Sequence, residues 1–226
     1  MRADDPNLPG LRLIAEALGE LREQVVFLGG AVAGLLTTDP LSDGVRATRD
    51  VDAVVNAARA TFHRIENEVA QRGFARDVQS EVIRRWVHKD SGLRFDLMPV
   101  QAEVLGFSNR WYPYAVETAE RVALSPGVTI RLVSAVAFVA TKLEAFADRG
   151  AGDFLTSHDL EDVLHVVEGR EELAGELGAA PVELRQAVAS TFRHLLMNPD
   201  FTNALPGLIA ESERAATVLQ RLHAVC

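Results

Sequence analysis

The chain has 226 residues, enough for one large domain or two small ones. It is 48% hydrophobic, with a formal net charge of −9 and a pI near 5.2. This composition supports a packed core, and it argues against disorder and against a broad basic surface that would bind duplex DNA.

The cellular setting is predicted from the cysteine content and the hydrophobic segments. Cys226 is the single cysteine, so an intramolecular disulfide cannot form, as is typical of a reducing cytoplasm. The N-terminal residues lack the apolar core of a signal peptide, and no segment approaches about 18 uninterrupted apolar residues. We therefore expect a cytoplasmic protein with no membrane span.

Strand and helix patterns alternate over the first part of the chain. The apolar spacing predicts the following elements in order: a helix over 8–23, a strand over 25–28, a glycine turn leading into a helix at 31–36, a loop over 37–49, a strand over 50–55, a helix over 58–72, a hairpin of 81–88 and 93–100, and a strand over 128–132. Such alternation is typical of a sheet that is flanked by helices.

The pattern changes to helices after residue 134. Helical spacing is found over 135–148, 158–167, 170–177, 181–197 and 203–224. The fold class predicted is α+β: a mixed β-sheet core flanked by helices, with a helical C-terminal half. We place the domain boundary between a catalytic domain, 1–133, and a helical domain, 134–226.

The first candidate site is the acidic pair that begins the strand over 50–55. Asp50 and Asp52 are two residues apart, so on a strand they project from the same face, about 7 Å apart. If the alternation extends upstream, Arg46 and Thr48 share that face. A guanidinium, a hydroxyl and two carboxylates are hard to explain as core and fit a site for Mg²⁺ and phosphate, although a polar edge strand is the alternative.

The paired glycines Gly29 and Gly30 follow the strand over 25–28. Glycines at a strand-to-helix junction let the backbone approach a phosphate, but the pair taken alone favours a tight turn. Asp96, inside the strand over 93–100, is a third carboxylate. It is interpreted either as a metal ligand or base, or as the partner of Arg94 or a neighbouring arginine.

The last candidates lie on the predicted helices 135–148 and 158–167. Lys142 follows an apolar run, and Asp159 and Asp162 lie three residues apart on one helix face. Two interpretations remain open: Lys142 contacts a triphosphate and is oriented by Asp159, or the residues form helix-to-helix salt bridges together with Arg149.

Taken together, these motifs resemble the DNA polymerase β-like nucleotidyltransferase superfamily, and within it the AbiEii-type proteins of bacterial toxin–antitoxin and phage-defence systems. The resemblance covers about residues 25–165 and rests on an ordered set of motifs: Gly29-Gly30, Arg46-Ala47-Thr48-Arg49-Asp50-Val51-Asp52, Lys142 with Arg149, and Asp159-Leu160-Glu161-Asp162. Ala31 departs from the serine common after the glycine pair, and the residues beyond about 170 carry no recognised motif.

The resemblance implies Mg²⁺-dependent transfer of a nucleoside monophosphate from an NTP to an acceptor hydroxyl. Its metal ligands would be Asp50, Asp52 and Asp96, with Asp96 also helping to activate the acceptor. The phosphates would be positioned by Gly29, Gly30, Arg46, Thr48, Lys142 and Asp159. It further implies a toxin that acts on RNA or protein, with a cognate antitoxin as partner. Two alternatives remain: a small-molecule, antibiotic-type nucleotidyltransferase, and a non-catalytic nucleotide-binding homologue.

Overall fold

The computed structural model describes residues 4–42, 44–80, 84–106, 108–149, 153–209 and 212–226. The chain divides into two compact units. The sheet unit consists of Pro6–Val32 and Arg46–Ser134, and the helical unit consists of Met1–Asp5, Ala33–Val45 and Ala135–Cys226. The segment between the first two strands thus groups with the helical unit, and neither unit is continuous in sequence.

The sheet unit contains, in its described part, seven strands and four α-helices. The strands are β1 Val26–Leu28, β2 Asp50–Val55, β3 Phe74–Arg76, β4 Arg85–His88, β5 Arg94–Pro99, β6 Glu120–Ser125 and β7 Val128–Leu132. The helices are α1 Leu8–Leu18, α2 Arg59–Gln71, α3 Ala102–Leu105 and α4 Tyr112–Glu117. A 3₁₀ helix covers Gly19–Glu23, and a second, Gly30–Leu35, begins in the sheet unit and ends in the segment Ala33–Val45.

The sheet is mixed, with the strand order β3-β4-β5-β2-β1-β7-β6. The pairs β2–β5 and β1–β7 are parallel, whereas β1–β2, β3–β4, β4–β5 and β6–β7 are antiparallel. The central strands β1 and β2 are apolar for most of their length because both of their faces are covered; Val26, Phe27 and Val54 are fully buried. The predicted mixed sheet flanked by helices is confirmed.

The helical unit contains six α-helices in its described part. They are α5 Ala135–Arg149, α6 His158–Gly169, α7 Leu173–Ala179, α8 Val182–Met197, α9 Pro199–Ala204 and α10 Ala215–Val225. Two 3₁₀ turns cover Leu205–Gly207 and Ser212–Arg214. Helix α6 begins at a true cap, because the Ser157 hydroxyl accepts a hydrogen bond from the backbone N–H of Leu160.

Two sequence predictions are corrected. The single helix predicted over 203–224 is wrong, since Leu205-Pro206-Gly207 forms a 3₁₀ turn and the next α-helix begins only at Ala215. Pro206 lacks the N–H that a continuing helix needs, and Gly207 weakens it further. The strand face that was to include Arg46 and Thr48 is also wrong, because β2 begins at Asp50 and both residues lie in the preceding loop.

The strand β6 and the short strand β3 were missed, although both pair with strands that were predicted. The first predicted hairpin strand included residues 81–83, which lie outside the described residues. No helix among the described residues is both long enough and apolar enough to span a membrane.

Candidate nucleotide and metal site

The acidic residues of the sheet unit meet because of strand register. Asp52 on β2 lies directly opposite Leu28 on β1 and opposite Asp96 on β5. Asp96 in turn lies opposite Arg85 on β4. Paired residues of neighbouring strands share a face, so these four side chains form one row across the sheet. Asp50, two residues before Asp52 on β2, lies opposite Arg94. Its side chain projects from the same face of the sheet as that of Asp52.

The end of β1 brings the backbone of Gly29 against Asp52. Gly29 has φ +79°, a left-handed conformation that side chains rarely adopt. A Cβ at this position would lie 2.7 Å from Cγ and 2.8 Å from Cβ of Asp52. The absence of a side chain therefore makes room for this carboxylate, and the residue is glycine for steric as well as conformational reasons. The next residue, Gly30, begins the 3₁₀ helix Gly30–Leu35.

Asp96 is held by an arginine. The Arg85 guanidinium donates two parallel hydrogen bonds to it, from Nε to Oδ1 at 2.9 Å and from Nη2 to Oδ2 at 2.7 Å. Both side chains are largely buried, with exposed fractions of 12% for Arg85 and 7% for Asp96. This two-point geometry is the strong form of the arginine–carboxylate pair. The salt-bridge interpretation of Asp96 is therefore correct in the structure, with Arg85 rather than Arg94 as its partner.

Asp50 is also paired with arginines. Arg94 Nε lies 2.6 Å from Asp50 Oδ1, and Arg85 Nη2 lies 3.5 Å from the same oxygen. The hydrogen bond to Asp96 is the largest cause that raises the pKa of Arg85 above its ordinary value, and the charges of Asp96, Asp50 and Asp52 add to it, while burial acts in the opposite direction. Arg85 thus interacts electrostatically with all three carboxylates.

Arg84, the residue immediately before β4, is anchored by a salt bridge. Arg84 has φ +71°, the one left-handed conformation among the described non-glycine residues. Its Nη1 donates to Oε1 of the buried Glu66 on α2 at 2.7 Å, and Glu66 also pairs with Arg76. This anchor fixes the backbone immediately before Arg85 and stabilises a conformation that costs free energy.

Arg46 and Thr48 lie in the loop that leads into β2. The buried side chain of Asn7 donates to the Arg46 carbonyl at 2.9 Å and accepts from the Thr48 N–H at 2.8 Å. The Thr48 hydroxyl accepts from the Asp50 N–H at 3.1 Å. The loop is thus held in place by Asn7, and Thr48 fixes the first residue of the strand that carries the acidic pair.

Lys142 and Asp159 belong to the helical unit. Lys142 Nζ on α5 lies 3.0 Å from Asp159 Oδ1 and 2.7 Å from Asp162 Oδ2 on α6. Arg149 Nη2 lies 2.7 Å from the other oxygen of Asp159. The helix-to-helix salt bridges expected as one of two interpretations are therefore present. The contact of Lys142 with a triphosphate stays a prediction.

The residues fit a divalent cation in part. Asp50 and Asp52 provide hard oxygen ligands on one strand face, and Mg²⁺ typically takes one or two protein carboxylates and completes its coordination with water and substrate phosphates. Asp96 has the right position in the sheet, but both of its oxygens face Arg85. In the part of the chain that the structure describes, no three His, Cys, Asp or Glu side chains form a ready metal-binding group.

Comparison with known protein families identifies the family of this chain. A family model described as "Nucleotidyl transferase AbiEii toxin, Type IV TA system" matches residues 12–220. The chain belongs to the AbiEii nucleotidyltransferase family. It is accordingly a nucleotidyltransferase, an enzyme that transfers a nucleoside monophosphate, as the ordered motifs predicted. No curated protein sequence matches the chain.

Solved structures similar to this AbiEii-family protein agree with the fold. An antigenic nucleotidyltransferase-like protein from Paracoccidioides brasiliensis has a TM-score of 0.52 and 20% identity, and the match covers 89% of this chain and 92% of that one. The antibiotic-resistance factor ANT(2'')-Ia has a TM-score of 0.51 and 16% identity, covering 83% and 91%. JHP933 from Helicobacter pylori has a TM-score of 0.50 and 12% identity, covering 97% and 91%.

Two residues of this site were missed from the sequence. Arg85 lies in a stretch rich in basic residues, and the predicted hairpin carried the signal: an arginine on one hairpin strand pairs across to an aspartate on the other. Asn7 gave no such signal, because its two hydrogen bonds bridge 39 and 41 positions of the chain.

Proposed function

We propose that the chain catalyses Mg²⁺-dependent transfer of a nucleoside monophosphate from an NTP to an acceptor hydroxyl on RNA or protein, with release of pyrophosphate. We further propose that it acts as a toxin with a cognate antitoxin as partner. The observation that supports the site best is the close approach of Asp52 to the bare backbone of Gly29, with Asp50 and Asp96 on the same face of the sheet.

In this proposal, Mg²⁺ neutralises the triphosphate and polarises its phosphoryl oxygens when it is bound. Asp50 and Asp52 hold it, with Asp96 as the third carboxylate, which also helps to activate the acceptor hydroxyl. Gly29 and Gly30 allow the phosphates to approach the backbone, while Arg46 and Lys142 provide positive charge and Thr48 and Asp159 orient the surrounding groups. Catalysis is then mostly positional and electrostatic.

The alternative is a small-molecule acceptor, and the charge distribution favours it. The helical unit carries 18 Asp and Glu against 8 Lys and Arg, whereas the sheet unit carries 14 against 15. A strongly acidic unit repels a polyanion such as RNA and attracts a cationic small molecule. The acceptor is therefore the part of the proposal that an experiment must decide first.

The experiment supplies each α-labelled NTP with Mg²⁺ and offers total RNA, protein extract and aminoglycosides as separate acceptors. The double variant Asp50→Ala with Asp52→Ala is the matched control, and its circular dichroism spectrum and melting temperature show whether it folds. We expect transfer by the wild type and none by the folded double variant. Equal transfer by that variant contradicts the site assignment. Binding of NTP by the wild type in calorimetry, without transfer to any acceptor, favours a non-catalytic nucleotide-binding homologue.

A further inference from the structure

Three carboxylates on one face of adjacent strands repel one another, and the structure shows what balances them. Asp50, Asp52 and Asp96 carry three negative charges, and Arg85 and Arg94 bring two positive charges into direct contact with two of them. Without such partners, the mostly buried Asp96 would be an uncompensated charge, which is strongly unfavourable. The acidic face is therefore stabilised by the chain's own cations.

Arg85 contacts the same oxygens that a metal ion would need. Its Nη2 lies 2.7 Å from Asp96 Oδ2 and 3.5 Å from Asp50 Oδ1, so one nitrogen bridges two of the candidate ligands. Arg94 Nε lies 2.6 Å from that same Asp50 oxygen. A guanidinium remains charged at any physiological pH, and its planar fork holds a carboxylate at two points. A divalent cation must compete with these arginines for Asp50 and Asp96.

The geometry points to Arg85 and Arg94 as resident counter-ions that keep the affinity of the acidic face for free Mg²⁺ low. In this inference the metal binds together with the NTP, because the triphosphate supplies both further oxygen ligands and negative charge for the displaced guanidinium groups. Arg85 and Arg94 are positioning residues, since they act through the carboxylates. The inference rests on the proposed function, in that it concerns metal binding at the same site.

The test is titration of the metal-free protein with MgCl₂ in the absence of NTP, followed by calorimetry and by thermal melting. We expect Arg85→Gln to bind Mg²⁺ about tenfold more tightly than the wild type or better, since one positive charge within hydrogen-bonding distance has been removed. Its melting temperature in EDTA should lie below that of the wild type and should rise on addition of Mg²⁺. The melting temperature of the wild type should scarcely respond.

Control variants separate this role from a merely structural ion pair. Arg85→Lys keeps the charge and loses the two-point geometry, so its Mg²⁺ affinity should remain near that of the wild type. Arg121→Gln removes a surface arginine that pairs with Glu23, its side chain 65% exposed in the same unit, and should change nothing. Because 40% of the Arg94 side chain is exposed, we expect Arg94→Gln to fold, and as a second test it should also tighten Mg²⁺ binding.

The inference is overturned by Mg²⁺ affinity that is unchanged or weaker in Arg85→Gln and Arg94→Gln than in the wild type. A lower melting temperature of Arg85→Gln that Mg²⁺ does not restore shows an ion pair with a structural role alone. The proposed function fails in a different measurement, since the absence of NTP turnover by the wild type leaves the outcome of the Mg²⁺ titration intact.

Discussion

The sequence predicted some features of the individual site residues but not their surroundings. The types and spacing of Asp50, Asp52 and Gly29 were visible in the sequence, because a two-residue period and a glycine pair are local patterns. The sequence did not show which side chains surround these residues. The Arg85–Asp96 pair depends on how two strands align, and the sequence allowed more than one partner for Asp96.

Gly29 provides the sharpest prediction for an individual residue. Gly29→Ala should reduce nucleotidyl transfer about 100-fold, because the new methyl group forces the Asp52 carboxylate out of place. The matched control is Gly127→Ala, since Gly127 has the same φ of +79° and an added Cβ there meets nothing within 4 Å.

Both glycine variants should lose about 1 to 3 kcal/mol for an alanine in the left-handed region, and Gly29→Ala should lose more, because its Cβ also clashes with Asp52. Urea unfolding measures that loss, and a transfer assay with Mg²⁺ and NTP measures activity. Equal activity of the two variants would show that the contact between Gly29 and Asp52 has no functional role.

Among the secondary-structure elements, those with strong periodicity were predicted well. Strand β2 and helices α5, α6 and α8 lie where the spacing and density of their apolar residues placed them, and each buries most of those residues. Strand β6 was missed, since it is mostly exposed and only its pairing with β7 makes it a strand. The break between α9 and α10 depends on Pro206 and Gly207, which the helical spacing of the surrounding apolar residues obscured.

The pairing of α5 with α6 predicts an unequal effect of two cations. Lys142 is largely buried between Asp159 and Asp162, with 13% of its side chain exposed, whereas Arg149 is 70% exposed. Lys142→Met should lower the free energy of unfolding by about 3 to 5 kcal/mol, because it leaves two carboxylates without their shared partner. Arg149→Gln should cost less than about 1 kcal/mol.

Urea denaturation of both variants measures these losses. Similar small losses in the two variants would mean that Lys142 is not needed for helix packing, which would favour its proposed role in phosphate contact. A large loss confined to Lys142→Met supports the structural role and leaves the phosphate contact to activity measurements on a stabilised background.

Contacts of the titratable carboxylates Asp39 and Glu172 help to attach the segment 36–42 to the helices. Arg214 donates to Asp39 at 2.7 Å, and the backbone N–H groups of Thr38 and Asp39 donate to the Gly169 carbonyl. The hydrogen bond from Arg214 is the largest cause that lowers the pKa of Asp39, and the one from Thr38 likewise lowers the pKa of Glu172. A lowered pKa means that protonation opposes these contacts.

The stabilisation is therefore complete above the ordinary carboxyl pKa values of 3.8 and 4.5, and it is lost as the pH falls below them. Hydrogen-exchange protection of the Thr38 and Asp39 amides should be constant from neutral to mildly acidic pH and should fall below that range. Asp39→Asn should remove the share of this pH dependence that comes from Asp39. The amide of the buried Val54 serves as the control for global unfolding. Protection that rises on acidification would contradict this account.

Across the entire chain, the sequence indicated the class of fold and the class of enzyme, because the ordered motifs are specific even though each is weak alone. It did not reveal that the segment Ala33–Val45 groups with the C-terminal helices, since that grouping depends on distant contacts such as Arg170 with the Leu36 carbonyl. The proposed boundary at 134 follows the change from strands to helices and cannot detect an interrupted unit.

We propose that the face of β2 and β5 carries nucleotidyl transfer. Parallel reactions with α-labelled and γ-labelled NTP, Mg²⁺ and the same acceptors test it most directly. We expect the α label to enter the acceptor, the γ label to leave as pyrophosphate, and both signals to vanish in the folded Asp50→Ala, Asp52→Ala variant. Transfer of the γ label to the acceptor, or undiminished α transfer by that variant, would contradict it.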